Sequence, residues 1–123
     1  MRVPRVLLLR SLAGAARGGR SMNDAQLAAY LFNERRPILY LQDPGHGWFS
    51  VKRAALDALG VLDRVTPYSY QRGASVYLEE DCDAALFINA VRARFGRDPL
   101  FIERHTYPGN RYSPIRTYSR FVP

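Results

Sequence analysis

The six residues Asp43-Pro44-Gly45-His46-Gly47-Trp48 set a histidine in a glycine turn. An imidazole flanked by glycines has open backbone and room for a ligand, and as a side-chain type it exchanges protons near neutral pH. Asp43 is close enough in sequence to orient the ring, so His46 and Asp43 are the candidate catalytic pair of a small hydrolase or nuclease. The competing expectation is a plain hairpin turn in which Asp43 bonds its own backbone and Trp48 packs inward. No nucleophile sits beside His46, so the structural reading carries more weight, and the chain reads as a binding protein rather than an enzyme.

A second cluster is Glu79-Glu80-Asp81-Cys82-Asp83, four carboxylates in five residues. Such a run could hold a divalent cation through oxygen ligands. Its order does not match a calcium loop, which alternates its ligands around a central glycine. The favoured reading is an acidic helix start, with Asp81 or Asp83 as the cap and Cys82 as a small buried residue. A thiol-rich zinc module is excluded, because Cys82, His46 and His105 lack metal-ligand spacing; no metal-ligating residue and no cofactor are assigned, and cation binding by the Glu79–Asp83 acids stays open.

Aromatic and basic residues supply the remaining candidates. Tyr68 and Tyr70 are two apart and would share one strand face, with Tyr77 across a hairpin. In the C-terminal segment, period two places Arg116, Tyr118 and Arg120 on one face, with Ile115, Thr117, Ser119 and Phe121 on the other. Arg104 could lie beside that face on a partner strand. Guanidinium groups interleaved with phenols suit a nucleic-acid backbone and its unstacked bases; the alternative is a charged edge strand that discourages aggregation. No phosphate-binding glycine loop occurs, since the third glycine position of a dinucleotide fingerprint holds Ser50. Neither a Ser/His/Asp arrangement nor a known DNA-binding module is recognisable.

These residues need elements to position them. Asn23 or Asp24 can cap a helix running to about Arg36, with Leu27, Ala28, Leu31 and Phe32 inward. Pro37 stops it. Ile38 to Leu41 and Trp48 to Val51 read as strands around the Pro-Gly turn. Lys52 to Leu59 reads as a short helix that ends on Gly60. Val65 to Tyr70 and Ala74 to Glu79 form a hairpin. Asp83 to Phe95 is the strongest helix, with Ala84, Phe87, Ile88, Val91 and Phe95 on one stripe and Gly96 as its stop. Leu100 to Tyr107 and Ile115 to Phe121 are the last strands. Hairpins separated by single helices predict an α+β fold, a mainly antiparallel sheet of about six short strands with two or three helices on one face.

Charge sharpens the division of the chain. Of 18 basic residues, 17 are Arg and only Lys52 is Lys, for a net charge of +7 over 123 residues. Residues 1–21 carry five Arg and no acid, residues 22–103 carry nine basic against eleven acidic, and residues 104–123 carry four Arg and no acid. The expected layout is a basic, disordered N-terminal arm over 1–21 and one α+β domain over 22–123. Arg10 interrupts the apolar stretch that a secretory signal needs. The arm is then an upstream extension of a protein starting at Met22, an Arg-rich transit peptide, or a basic arm that touches membrane or nucleic acid. A single cysteine excludes a disulfide scaffold, and no run of apolar residues is long enough to span a bilayer. The expected home is a reducing cytoplasm.

The strings Asp43-Pro44-Gly45-His46-Gly47-Trp48, Tyr68-Ser69-Tyr70 with Gly73, and Val76 to Asp83 resemble words of short uncharacterised bacterial proteins carried by phages, plasmids and integrative elements. The resemblance covers about Ile38 to Phe121. It implies a prokaryotic, cytoplasmic setting, and it brings no catalytic residue with it. The expected function is a non-enzymatic binding module of a mobile genetic element that contacts nucleic acid or a protein complex holding it, through Arg104, Arg116, Tyr118, Arg120, Tyr68 and Tyr70. An inhibitor docking on a host defence complex through Trp48, Tyr68 and Tyr70, and an enzyme using His46, are the alternatives.

Overall fold

A computed structural model describes residues 21–105 and 111–123. The basic arm therefore lies outside the described residues, apart from its last position.

The chain opens on helix α1 (Asp24–Leu31), where Asn23 accepts from the Gln26 backbone N–H and Gln26 returns a bond to the Asn23 N–H. This reciprocal cap fixes the start. The helix ends before the expected Arg36, because the Asn33 side chain accepts from the Arg35 and Arg36 N–H groups and turns the chain out. Strands β1 (Ile38–Gln42) and β2 (Gly47–Lys52) follow as a hairpin, then helix α2 (Arg53–Ala58). After a short 3-10 turn over Leu62–Arg64 come β3 (Tyr70–Arg72), β4 (Ser75–Glu79), helix α3 (Ala84–Phe95) and β5 (Phe101–His105). A second 3-10 turn (Pro114–Thr117) leads to the two-residue β6 (Ser119–Arg120). Gly60 and Gly96, with φ of 75° and 71°, end α2 and α3 in the left-handed region, as the sequence predicts.

The strands form one sheet in the order β5-β1-β2-β4-β3-β6. Every pairing is antiparallel except β1 with β5. The expected α+β class with a mainly antiparallel six-stranded sheet is what the structure shows. The segment β4-α3-β5 is a parallel crossover that passes over two strands to reach the far edge.

Alternation along the strands decides what each face does. Phe49, Val51, Val76 and Leu78 point to one side and meet Leu27 and Leu31 of α1, Leu56 of α2 and Phe87 and Val91 of α3. Each large side chain so buried contributes about 1.5–3 kcal/mol. The opposite face carries Trp48, Tyr70, Tyr77 and Glu79, set side by side by the pairs Trp48↔Glu79 and Tyr70↔Tyr77. Trp48 is 1% exposed although it stands outside the main core.

Two expectations for the second half need correction. Val65 to Ser69 is not a strand. Thr66 and Ser69 bond the buried Asp83 carboxylate, and strand pairing starts only at Tyr70. Ile115 to Phe121 is not one continuous strand either. Ser113 caps the Ile115 N–H, Pro114 occupies the first turn, and Thr117 Oγ1 donates back to the Pro114 carbonyl. Those bonds wind 114–117 into a 3-10 turn, and the period-two face assumed for Arg116, Tyr118 and Arg120 does not exist.

Candidate functional site

A cavity of about 410 Å³ opens on the sheet face opposite the helices. Its lining comes from four places: His46 and Trp48 at the β1–β2 hairpin, Tyr68 and Tyr70 at the start of β3, Glu79, Asp81 and Cys82 at the end of β4, and Arg116 with Arg120 from the C-terminal segment. The volume is within the range of small-ligand sites, roughly 300–1,000 Å³.

The anionic wall is built by strand register. Trp48 stands opposite Glu79, so the turn before β2 and the turn after β4 lie together at one end of the sheet. The Glu80 N–H donates to the Gly47 carbonyl at 3.0 Å and fastens one turn to the other. His46 Nδ1 then lies 3.4 Å from Glu79 Oε1. The other Glu79 oxygen accepts from the Asp81 N–H at 2.8 Å. Tyr40, from β1, donates its hydroxyl to Glu80 Oε2 at 2.6 Å. Burial, and then that carboxylate, hold the Tyr40 phenol well above its ordinary range.

Asp43 does not orient the His46 ring. Its Oδ1 accepts from the Gly45 and His46 backbone N–H groups, both at 3.0 Å, which is the turn-forming role. Its carboxylate also accepts from the Ser113 N–H at 2.8 Å and takes a two-pronged contact from Arg116. The partner that faces the imidazole is Glu79, so the pair to consider is His46 with Glu79.

The cationic and aromatic wall is assembled differently from the expectation. Arg116 is held by Asp43 and lies over the Tyr112 ring at 4.4 Å and the Trp48 ring at 5.7 Å. Arg120 lies over Tyr70 at 4.7 Å, paired there by the β3–β6 register. Tyr68 sits in the turn before β3, not on the strand with Tyr70, and is 65% exposed. Tyr118 belongs to a neighbouring cavity, where it packs on Tyr77 at 5.2 Å and under Arg72 at 5.0 Å. Arg104 is on β5, the edge strand farthest from β6, so it stands at the opposite side of the sheet from Arg120. Of the six predicted binding residues, the fold brings Arg116, Arg120, Tyr68 and Tyr70 together and leaves out Tyr118 and Arg104.

Asp83 and Cys82 also depart from expectation. Asp83 occupies the position before α3, but its side chain makes no capping bond. It is buried, and its Oδ2 accepts from Thr66 N, Thr66 Oγ1 and Ser69 Oγ. Ser69 Oγ in turn accepts from the Glu79 N–H at 3.0 Å. Asp83 therefore positions both the turn carrying Tyr68 and the strand end carrying Glu79. Cys82 is exposed on the turn rather than buried. Partial desolvation, and after it Glu79, Asp83 and Asp81, push its thiol up.

Among the described residues, one buried side-chain polar atom has no hydrogen-bond partner, the Nε1–H of Trp48 in the cavity lining. No helix is long and apolar enough to cross a membrane among the described residues. Compared with known protein families, with curated proteins and with solved structures, the chain matches none.

Proposed function

We propose that the chain is a small binding module for single-stranded nucleic acid, with the cavity taking a nucleotide at an end or a bend of the strand. One observation carries this reading: Tyr68 and Tyr70 share a single cavity with Arg116 and Arg120. A base stacked on an aromatic ring is worth about 1–3 kcal/mol, and the stack tolerates any base. The exposed Tyr68 ring offers that surface. Arg120 makes a ring contact with Tyr70 and one long bond, 3.4 Å, to the Pro67 carbonyl, which leaves most of its donors for a phosphate. The bacterial mobile-element setting implied by the sequence words suits a module of this kind.

A second reading has its own observation. His46 and Glu79 face each other in the same cavity, which is the arrangement of a general base and its orienting carboxylate. A phosphate on Arg120 would bring a phosphodiester into that neighbourhood.

Trp48 is the sole tryptophan of the chain and lines the cavity, so its emission reports occupancy. Titration with single- and double-stranded DNA and RNA at low salt should quench or shift that emission, most strongly for single strands. Affinity should fall with added salt. Tyr68→Ala and Arg120→Ala should each weaken binding at least fivefold. Undetectable affinity for all four nucleic acids at low salt overturns the reading.

A further inference from the structure

We propose that His46, Glu79, Glu80 and Asp81 form a site for one first-row divalent cation, of the Mn²⁺ or Zn²⁺ kind, where His46, Glu79 and Asp81 line the anionic end of this cavity and Glu80 adjoins it. The proposal deepens the nucleic-acid reading, because the same cavity would then hold both the ion and a phosphate.

Geometry is the first support. One imidazole nitrogen and one oxygen from each of the three carboxylates all lie within 4.8 Å of one another. Two ligands on opposite sides of an ion with 2.0–2.4 Å bonds stand roughly 4–4.8 Å apart, so the set encloses one cation with little movement. Tyr40 engages Glu80 Oε2, the Asp81 N–H engages Glu79 Oε2, and Glu79 Oε1 faces His46 Nδ1 at 3.4 Å. Three of these four residues sit on turns fixed by backbone bonds, and Glu79 ends a strand. The positions are therefore held before any ion arrives.

Charge is the second, independent support. Glu79 is 8% exposed and points into the cavity. A carboxylate so buried calls for a counter-charge. Among the described residues, no Arg or Lys forms an ion pair with Glu79, Glu80 or Asp81. Of the basic groups in the lining, Arg116 pairs with Asp43 and Arg120 lies over the Tyr70 ring. A divalent ion held here would offset the negative charge of these acids beside a bound phosphate.

Donor chemistry selects the ion. Carboxylates suit Mg²⁺, Ca²⁺ and Mn²⁺, whereas imidazole suits Zn²⁺ and its first-row neighbours. A set with one imidazole and three carboxylates falls to ions that accept both.

The test uses the full chain with metal alone and no nucleic acid. Isothermal titration with MnCl₂ and with ZnCl₂, and the Mn²⁺ paramagnetic resonance signal, should show one equivalent bound at micromolar concentration. His46→Ala and Glu79→Gln should each weaken binding at least tenfold. Asp81→Asn, at an exposed position, should weaken it as well and serves if Glu79→Gln fails to fold. Arg104→Ala, at the far edge of the sheet, should bind as the parent does. No binding below 1 mM of either ion, binding unchanged in a folded His46→Ala or Asp81→Asn variant, or tighter binding of Ca²⁺ than of both ions each overturn the proposal. A positive metal titration beside a negative oligonucleotide titration would retain the ion site and reject the nucleic-acid reading, and the converse would do the reverse.

Discussion

Asp43 and Arg116 are 73 positions apart and meet in a two-pronged ion pair, Nε to Oδ2 at 2.7 Å and Nη2 to Oδ1 at 2.9 Å. The Asp43 side chain is wholly buried, and it also accepts the N–H groups of Gly45, His46 and Ser113. One carboxylate thus ties the hairpin that carries His46 to the C-terminal segment that carries Arg116. Asp43→Asn should cost about 2–3 kcal/mol, below the worst case for breaking a buried pair because the Arg116 guanidinium keeps some contact with water. Urea unfolding at neutral pH measures it. A cost under 0.5 kcal/mol would mean that the two segments are held by something else.

The same pair makes stability depend on acid. The Arg116 guanidinium, then the backbone N–H groups, hold the Asp43 carboxyl well below the usual carboxylate range. A folded-state value depressed below the unfolded one gives stabilisation that is complete above the unfolded pKa, about 3.9, and is lost as the pH falls further. Stability of the parent should therefore drop between about pH 4 and pH 2, and Asp43→Asn should flatten that part of the profile. Equal slopes in parent and variant would show that other carboxyls set the acid limit.

Asp83 should matter more than its acidic neighbour. Asp83→Ala strands the Thr66 N–H, the Thr66 hydroxyl and the Ser69 hydroxyl together, at a cost of about 3 kcal/mol. Asp81 is exposed, and Asp81→Ala should change stability by less than about 0.5 kcal/mol. Paired urea curves separate the two, and equal costs would contradict the hydrogen-bond assignment.

The Cys82 thiol is exposed but pushed up, and the thiolate is the form that reacts. Iodoacetamide at pH 7.5 should modify it several-fold more slowly than glutathione. Glu79→Gln, which removes the neighbouring charge that acts most strongly on the sulfur, should speed the reaction. Alkylation of the parent as fast as glutathione would show that the carboxylates do not reach the sulfur.

Much of the fold is legible in local chemistry. The Asn23 cap, the Leu27/Leu31 and Phe87/Val91 spacings and the stops at Gly60 and Gly96 are each written within a few residues. The class of sheet follows from the same short-range signals. The parallel pairing of β1 with β5 has no local signature, because it depends on where α3 delivers the chain. The site was half legible for the same reason. His46 and the Glu79–Asp83 run are each visible, but their meeting is a consequence of the Trp48↔Glu79 register. Period two fails for Arg116, Tyr118 and Arg120 because Ser113-Pro114 marks a capped turn there, a signal present in the sequence. Nothing local pairs Arg116 with Asp43.

Gly47 offers a test of the Tyr40–Glu80 contact. It ends the tight turn beside His46, and a Cβ there would overlap the Tyr40 hydroxyl and the ring carbon that bears it. The phenol cannot swing away freely, since its hydroxyl donates to Glu80 and its ring packs on Phe49 at 4.7 Å and near Phe101. Gly47→Ala should therefore cost about 1–3 kcal/mol as an overpacking change. It should also detach Glu80 from Tyr40 and disturb the anionic wall, visible as a shift in Trp48 emission. Tyr40→Leu removes the ring that the new methyl strikes, so the double variant should be more stable than the sum of the single costs predicts, by about 1 kcal/mol or more. Strict additivity in that cycle would show that the methyl meets something other than Tyr40.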